Sequence, residues 1–566
     1  MTSHQTINIL NNRYCPIFPF LSVRFSYPLM EKLTMKRPDK LIKNTIALSM
    51  ASAAALSAGA ACAETGSRNS ALAQTSDSGK APNIVAIMVD DVAPMDISAY
   101  HRGLGAIKTP NIDRIAERGV MVSDYYAQSS STAGRAAFIT GQYPFRSGLT
   151  SVGQPGSKLG IKKETPTLAE LLKQKGYATV HVGKSHLGDN NSHLPTAHGF
   201  DEYYGFLYHL NVMEMPEQPE FPKDPNFSGI PRNVIHSLAM EQHDKTVDPR
   251  FGEIGKQKIT DQGKLGIDRM KRIDEEFLNF ATDWLDSHET LNSDQPYFMW
   301  YNPSRMHTIT HVSKQYEGAS QTSTYYDALK QLDDQVGTLI AKLESLGELD
   351  NTIILFTSDN GVNSDHWPDA GAASFKGQKG TTWDGGFRVP MLVSWPDKFP
   401  QGTYVDGMMS AEDWLPTLLA ATGDTETKTQ LLEGKEIEGT VRKAHLDGYN
   451  QLEMLANNGP SERNEFFFYN ETDLNAVRVN EWKVHLKTKT TWTEPAKEWP
   501  FGVLVNIKAD PYERSPETTG WYHWMKQKSW VLPYFYQSIN QYKKSLQDYP
   551  PAQKGTGVGM GNDTID

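Results

Sequence analysis

The sequence predicts an α/β fold in which helices cover both faces of a doubly wound, mixed and mostly parallel sheet. Apolar runs of strand length, such as 83–89 and 352–357, alternate with helical patterns, as in chains built from βα units. These runs are apolar on both faces, which is typical of strands buried inside a parallel sheet. Charged residues follow several of the runs, and ligands of such sheets bind at the carboxyl ends of the strands.

Helix boundary signals support this alternation. Thr109-Pro110 is expected to start one helix, and Thr165-Pro166 another over 166–175, because Thr caps helices and Pro suits the first turn. Residues 323–346 carry apolar side chains at helical spacing, and Gly347 is expected to end that helix. Further strands are predicted over 177–182, 296–301 and 391–395.

A catalytic domain is predicted over 82–455 and a smaller C-terminal α+β domain over 456–566. In the smaller domain, short strand patterns separated by turns predict an antiparallel sheet. Its predicted strands are 465–469, 475–479, 482–487 and 503–508. Residues 521–548 are rich in Trp and Tyr, which fits either packing against the main domain or a carbohydrate-binding face.

The N-terminal region has the pattern of a secretory signal. Basic residues within 36–43 precede an Ala- and Ser-rich apolar run over 45–61, and Ala61-Cys62-Ala63 offers the small residues that a signal peptidase reads. We expect Met35 to be the true start, cleavage to follow Ala63, and 64–81 to be a flexible mature N-terminus. A membrane anchor is the alternative, although such spans need about 20 strongly apolar residues. The mature protein is therefore expected to be periplasmic or secreted.

Composition narrows the function further. The net charge is -11 and no basic run lies outside the signal, which argues against a nucleic-acid partner. No later segment is long and apolar enough to span a membrane. Both cysteines, Cys15 and Cys62, precede the expected cleavage site. The mature chain therefore has no sulfur nucleophile, and an oxygen atom, or a group made from one, must carry any nucleophilic chemistry.

Two pairs of oxygen-bearing residues follow predicted strands. Asp90-Asp91 comes directly after 83–89, and Asp359-Asn360 lies just beyond 352–357. Either pair alone fits a helix cap or a turn. Two pairs at strand ends of one sheet favour a shared cation, because like charges repel unless a cation or a proton intervenes. Oxygen ligands without Cys or clustered His favour calcium or magnesium over zinc.

Basic and nucleophilic side chains occupy other element ends. Lys184 and His186 lie just beyond 177–182 and, being two residues apart, can address one anion. His307 follows 296–301, and Lys379 lies in a glycine-rich loop. Ser131 precedes a helix-like run, where free backbone N–H groups favour an anionic ligand. Each also fits an ordinary role, as a solvated surface group or, for Ser131, as a helix N-cap.

In their order and approximate spacing, these segments resemble the arylsulfatase family, the type I formylglycine-dependent sulfatases of the alkaline-phosphatase-like superfamily. The most specific segment is 131–141, which is similar to the sulfatase signature, although a cysteine commonly holds its first position. The other matching segments are Asp90-Asp91, Gly183-Lys184-Ser185-His186-Leu187-Gly188, His307, Ser358-Asp359-Asn360-Gly361 and 379–386. The resemblance covers 82–515 and implies an alkaline-phosphatase-like fold and hydrolysis of sulfate monoesters.

The resemblance implies a role for each candidate residue. The calcium ligands would be Asp90, Asp91, Ser131, Asp359 and Asn360. The catalytic residues would be Ser131, Arg135, Lys184, His186, His307 and Lys379. Within that set, Arg135 and Lys184 would hold the modified residue and neutralise charge. His186 would act as a base, and His307 and Lys379 would grip the sulfate and help the leaving oxygen depart.

The resemblance also implies that residue 131 is oxidised to formylglycine (3-oxoalanine). One hydroxyl of the hydrated aldehyde would attack sulfur, and the other would expel the sulfate. A serine at this position implies a radical-SAM sulfatase maturase as a partner before export. The chain departs from the family pattern at Ala133, where proline is commonest, at Gly134, where a small polar residue often lies, and at Ala93, where glycine is frequent.

Two other functions remain open from the sequence. Unmodified Ser131 could serve a phosphomonoesterase or phosphodiesterase, although related phosphatases usually hold two zinc ions with extra His and Asp ligands. An inactive sulfated-glycan-binding protein would keep Lys184 and Lys379 but leave Ser131 unconverted. Aryl, choline and polysaccharide sulfates are all candidate substrates, and 207–262 is expected to help form the pocket.

Overall fold

A computed structural model describes residues 79–370 and 375–557 of the chain. The predicted signal region and most of the predicted flexible N-terminus lie outside the described residues. Along the described residues, the strands are β1 (Asn83–Val89), β2 (Val120–Val122), β3 (Tyr125–Tyr126), β4 (Ala178–Lys184), β5 (Glu202–Phe206), β6 (Ile235–Asp248), β7 (Gly252–Asp261), β8 (Tyr297–Asn302), β9 (Thr352–Ser358), β10 (Met391–Ser394), β11 (Thr403–Val405), β12 (Met409–Ser410), β13 (Lys435–Ile437), β14 (Thr440–Arg442), β15 (Glu465–Asn470), β16 (Asp473–Val479), β17 (Trp482–Thr488) and β18 (Lys497–Asn506).

Helices connect most of these strands. They are α1 (Ser98–His101), α2 (Pro110–Glu117), α3 (Ser131–Thr140), α4 (Pro144–Ser147), α5 (Leu168–Lys173), α6 (Leu210–Glu214), α7 (Ile267–Met270), α8 (Ile273–Asn292), α9 (Thr324–Ser345), α10 (Asp384–Phe387), α11 (Trp414–Ala421), α12 (Thr427–Glu433), α13 (Leu452–Asn457), α14 (Trp521–Gln527) and α15 (Leu532–Asp548). No helix among the described residues is long and apolar enough to cross a membrane.

The predicted fold class is confirmed. Ten strands form one sheet in the order β11-β2-β10-β9-β1-β8-β4-β5-β6-β7. Its centre, β9-β1-β8-β4-β5, is parallel throughout, whereas β10, β6 and β7 run antiparallel to their neighbours. All five central strands therefore end at the same edge of the sheet.

Side chains of β1 alternate between two hydrophobic cores, one on each face of the sheet. Val85 and Ile87 pack with α2, α8 and α9, whereas Ile84 and Ala86 pack with α3, α5 and α11. Because both faces are covered by helices, every residue of β1 after Asn83 is apolar and at most 1% exposed.

The start of α5 differs from the sequence prediction. The helix begins at Leu168 and not after Thr165, and its N-cap is Thr167. The Thr167 hydroxyl accepts a hydrogen bond from the Glu170 backbone N–H, and the Glu170 carboxylate accepts one from the Thr167 N–H. This reciprocal capping box pairs two otherwise free donors, so it outweighs the Thr-Pro signal two residues earlier.

The C-terminal strands form a separate antiparallel sheet in the order β15-β16-β17-β18, as predicted. The prediction was least accurate for β18, which spans Lys497–Asn506 and not 503–508. Helix α15 packs Phe535 and Tyr542 against this sheet, and the Tyr542 ring stacks on Phe467 with centroids 4.4 Å apart. The aromatic tail is therefore partly a packing element, although Trp530 and Tyr536 remain more than half exposed.

Segment 207–262 extends the large sheet. Its second half forms the hairpin of β6 and β7, whose far end is exposed. A cavity of about 700 Å³ lies between this hairpin and the preceding loop, lined by Phe221, Arg232 and Phe251 among others.

Candidate active site

The carboxyl ends of four adjacent strands converge on one buried polar cluster. Strand β1 leads into Asp90-Asp91, β9 into Asp359-Asn360, β4 into the Lys184–His186 segment, and β8 into the loop that carries His307. These side chains are at most 6% exposed. Asp91 and His186 adopt left-handed backbone conformations, with φ of 56° and 63°. Such conformations are uncommon for residues other than glycine and are concentrated at functional sites.

Ser131 lies at the centre of this cluster. It is the first residue of α3, and the N-cap is Ser130, so the predicted alternative role as N-cap falls to its neighbour. The Ser131 Oγ donates a hydrogen bond to Asp359 Oδ2 at 2.5 Å and accepts one from Arg135 Nε at 3.2 Å. His186 Nδ1 lies 3.0 Å from the same oxygen. The structure thus brings residue 131 together with one carboxylate, one guanidinium and one imidazole.

Gly134 explains how α3 comes so close to β9. A Cβ atom at this position would lie 1.9 Å from the Asp359 carbonyl oxygen, a separation that no real Cβ contact tolerates. The glycine therefore allows the helix backbone to rest on the strand end and brings Ser131 within reach of Asp359.

Three cations and an amide hold the carboxylates. Lys184 forms a short ion pair with Asp90, and Lys379 Nζ lies 2.5 Å from Asp91 Oδ1. The Asn360 side-chain amide donates to the same Asp91 oxygen at 2.6 Å. Arg135 bridges two carboxylates, at 2.9 Å from Asp359 and 3.4 Å from Asp90. Three carboxylates thus face three cationic side chains, and their formal charges cancel.

Four of the five predicted metal-binding residues keep one oxygen without a hydrogen-bond partner among the described residues, and the hydroxyl of the fifth, Ser131, is hydrogen-bonded. These buried atoms are Asp90 Oδ1, Asp91 Oδ2, Asp359 Oδ1 and Asn360 Oδ1. Buried polar atoms are rarely left unpaired, so an unpaired set on adjacent strand ends points to a missing partner. An all-oxygen donor set fits calcium or magnesium better than a softer metal.

His307 lies nearer to the carboxylates than its predicted role required. Its ring offers a nitrogen within 4.8 Å of ligand atoms of both Asp90 and Asp91. The Nδ1 atom forms a short hydrogen bond with the Thr308 carbonyl oxygen, so Nε2 is the ring atom left to meet a ligand. His307 is therefore a third candidate metal-ligating side chain beside Asp90 and Asp91.

Burial and neighbouring charges shift the pKa values of the cluster in opposite directions. Burial raises the pKa of the Asp91 carboxyl to about 7, although Lys379 opposes this effect. Burial also disfavours charge on Asp90, but Lys184, Lys379 and Arg135 outweigh it and hold its pKa well below the usual range. Burial lowers the pKa of Lys184 to about 8 and that of His186 well below its usual value. His186 is therefore neutral near pH 7, with one ring nitrogen unprotonated.

Several residues of the site were missed by the sequence analysis. His209 stacks on His307 with ring centroids 5.1 Å apart, and a lone His after a strand gives no recognisable signal. Two others come from the C-terminal sheet and its β17–β18 loop. The Asn470 amide donates to the Gly380 carbonyl at 2.9 Å, and the ring centroid of Trp492 lies 5.7 Å from Lys379 Nζ. Contacts between such distant segments leave no local pattern in the sequence.

Comparison with known proteins identifies the family. The family model "Sulfatase" matches residues 82–424. This chain belongs to the sulfatase family. The predicted membership of the sulfatase family and the predicted enzyme class, a sulfuric ester hydrolase, are therefore confirmed.

Sulfatases from animals and bacteria are similar to the chain over most of its length. It is 27% identical to rat (Rattus norvegicus) N-acetylgalactosamine-6-sulfatase over 434 residues, 75% of this chain and 74% of the rat protein. It is 28% identical to human (Homo sapiens) arylsulfatase A over 424 residues, 72% of this chain and 75% of the human protein.

Among solved structures, the PsFucS1 sulfatase from Pseudoalteromonas sp. is similar with a TM-score of 0.71 and 26% identity, covering 84% of this chain and 92% of that one. The structure of Ps i-CgsB in complex with k-i-k-neocarrahexaose is similar with a TM-score of 0.62 and 26% identity, covering 84% and 95%.

Proposed function

We propose that this sulfatase-family protein hydrolyses a sulfate monoester of an aryl or carbohydrate alcohol, using a formylglycine made from Ser131 and one bound calcium ion. The observation that supports the proposal most directly is the position of Ser131 Oγ. It lies within hydrogen-bond distance of Asp359, Arg135 and His186, beside carboxylate and amide oxygens that have no other partner among the described residues.

The residues around position 131 fit both a calcium ion and a formylglycine. Calcium would be held by the unpaired oxygens of Asp90, Asp91, Asp359 and Asn360, with residue 131 beside them, and would supply positive charge where the reacting oxygen becomes anionic. A hydrated aldehyde at residue 131 would supply two hydroxyls on one carbon, one to attack sulfur and one to release the sulfate. An unmodified serine has no second hydroxyl, so its sulfate ester would accumulate.

The side chains around residue 131 have distinct tasks in this proposal. Arg135 Nε donates to the oxygen at residue 131 and orients it. His186, neutral and 3.0 Å away, receives the proton that this residue must lose. Lys379 and the Nε2 atom of His307 face the sulfate and stabilise charge on the leaving oxygen. Because the three carboxylates and three cations cancel, added calcium would leave the pocket positive, which favours an anionic substrate.

The proposal extends to how the enzyme is made. Oxidation of Ser131 requires a radical-SAM sulfatase maturase as a partner in the producing cell. Cleavage of the predicted signal after Ala63 places the mature enzyme in the periplasm or outside the cell. The remaining chain would then consist of a catalytic domain over 82–455 and a C-terminal domain over 456–566.

The mass of one tryptic peptide tests the modification. Trypsin releases residues 119–135, which contain Ser131 and end at Arg135. Conversion of serine to formylglycine removes two hydrogens, so we expect this peptide from the native host to be lighter by about 2 Da. Fragment ions must assign the change to residue 131 and not to Ser129 or Ser130. An unchanged mass in protein that hydrolyses phosphate esters would favour the phosphatase alternative instead.

Removal of the metal should abolish most of the activity. We expect prolonged dialysis against EGTA to lower turnover of an aryl sulfate at least tenfold, because the reacting oxygen would lose the positive charge that stabilises it as it becomes anionic. Added calcium should restore activity better than magnesium, whose small octahedral shell fits four fixed protein oxygens poorly. Full turnover by protein shown by elemental analysis to be free of metal would refute the calcium assignment.

A further inference from the structure

The loop between β17 and β18 carries a tryptophan onto the Lys379 loop. The Lys489 backbone N–H donates to Thr382 Oγ1 at 3.1 Å and fixes the start of this connection. A Cβ atom at residue 380 would lie 2.5 Å from the Trp492 ring, so the indole rests directly on the glycine backbone. Gly380 thus allows an aromatic ring from the C-terminal sheet to lie beside the residue that follows Lys379.

Trp492 marks the boundary between the buried cluster and the solvent. Its ring centroid lies 5.7 Å from Lys379 Nζ. Lys379, Asp91 and Ser131 are at most 2% exposed, whereas Trp492 is only partly buried. The alcohol portion of a substrate whose leaving oxygen meets Lys379, and which extends from there towards the solvent, can therefore reach the Trp492 ring.

Simple distances place the indole within reach of the alcohol portion. In the proposed function, on which this step rests, the ester oxygen lies within hydrogen-bond distance of Lys379 Nζ, about 3 Å. The first carbon of the alcohol is one single bond further, about 1.5 Å. A ring that begins within about 4.5 Å of Lys379 Nζ is about as far from that atom as the indole is, since the indole centroid lies 5.7 Å from it.

We propose that Trp492 is a specificity-determining residue that selects sulfate esters of ring-shaped alcohols by stacking its indole on the substrate ring. A flat apolar face matches an aryl ring or the C–H face of a pyranose, and both gain contact area with little loss of conformational freedom. A short open-chain alcohol offers no such face. The substrate class is therefore an aryl or sugar sulfate and not a choline-type sulfate.

The experiment compares binding of an aryl sulfate with binding of inorganic sulfate. It uses calcium-loaded enzyme in which Ser131 has been converted to formylglycine. For Trp492→Ala we expect kcat/KM for 4-nitrophenyl sulfate to fall about tenfold, mainly through KM, the usual scale for one lost stacking contact. The inhibition constant of inorganic sulfate, which has no ring, should change less than twofold. Trp492→Phe should restore most of the loss, and Trp492→Leu should not. Phe501→Ala is the matched control, because it removes an aromatic of the same sheet that is 83% exposed.

Each outcome decides one proposal. Equal kcat/KM in Trp492→Ala and wild type would overturn the inference. An equal loss of sulfate affinity would also overturn it, since Trp492 would then act on the Lys379 loop and not on the ring. If the Ala variant does not fold, the Phe and Leu variants carry the same comparison. Wild-type protein that hydrolyses neither aryl nor sugar sulfates contradicts the proposed function, whatever the variants do.

Discussion

Replacing Ser131 with alanine should abolish sulfatase turnover, with kcat at least about 1,000-fold lower. The variant has neither a hydroxyl to attack sulfur nor a precursor for the aldehyde, and enzymes that lose a nucleophile lose activity on this scale or a larger one. The measurement is steady-state hydrolysis of an aryl sulfate by calcium-loaded protein.

Ser130→Ala provides the matched control for this variant. Ser130 is the neighbouring N-cap residue and is also buried, with 4% of its surface exposed. Its Oγ has no hydrogen-bond partner among the described residues. We expect this control to keep turnover within about twofold, because the substitution removes no hydrogen bond. Comparable activity in Ser131→Ala would mean that another group carries the reaction and would remove the basis of the proposed mechanism.

Replacing Lys379 with alanine should lower kcat/KM by at least about 100-fold, the scale of losing one preorganised charge from an active site. The ammonium is 2% exposed and pairs with Asp91, and the neighbouring carboxylates raise its pKa against the effect of burial. Its loss would leave Asp91 without its cation and the leaving oxygen without its donor. Kinetics on an aryl sulfate, together with the inhibition constant of inorganic sulfate, measure both effects.

Lys376→Ala separates this effect from damage to the loop. Lys376 lies three residues earlier, pairs with the largely exposed Glu517 and stacks over Trp383. We expect this variant to lose no more than about threefold, since exposed ion pairs contribute little. A Lys379→Ala enzyme that matches Lys376→Ala would show that the lysine has no part in binding or departure of the sulfate group.

The sequence predicted that the side chains of the candidate active site would cluster because each of the patterns involved is local. Strands β1, β4, β8 and β9 each read as apolar runs. The polar residues of the cluster lie at the end of each run or within a few residues after it. Since parallel strands end at one edge, four local patterns sufficed to predict one cluster. The capping box at Thr167 was missed because a Thr-Pro pair two residues earlier gave a similar signal.

The contributions of the C-terminal sheet could not be predicted in the same way. Asn470 and Trp492 are ordinary residues in a strand end and a loop, and only the tertiary fold brings them to Gly380. His209 likewise gains its place from stacking on His307. Contacts that join segments about 90 to 110 residues apart depend on the packing of whole sheets, for which one sequence offers no periodicity.

The two sheets are joined by buried ion pairs, and this limits how the chain can be divided. Asp124 is 3% exposed in its side chain and is neutralised by Arg388 from the first part of the chain and by Arg478 from the C-terminal sheet. Lys483 of the same sheet pairs with Asp384, directly after the loop that carries Lys379. A chain shortened at residue 455 would leave Asp124 without Arg478 and Asp384 without Lys483, so the first sheet and its helices cannot be expected to work as a minimal biocatalyst.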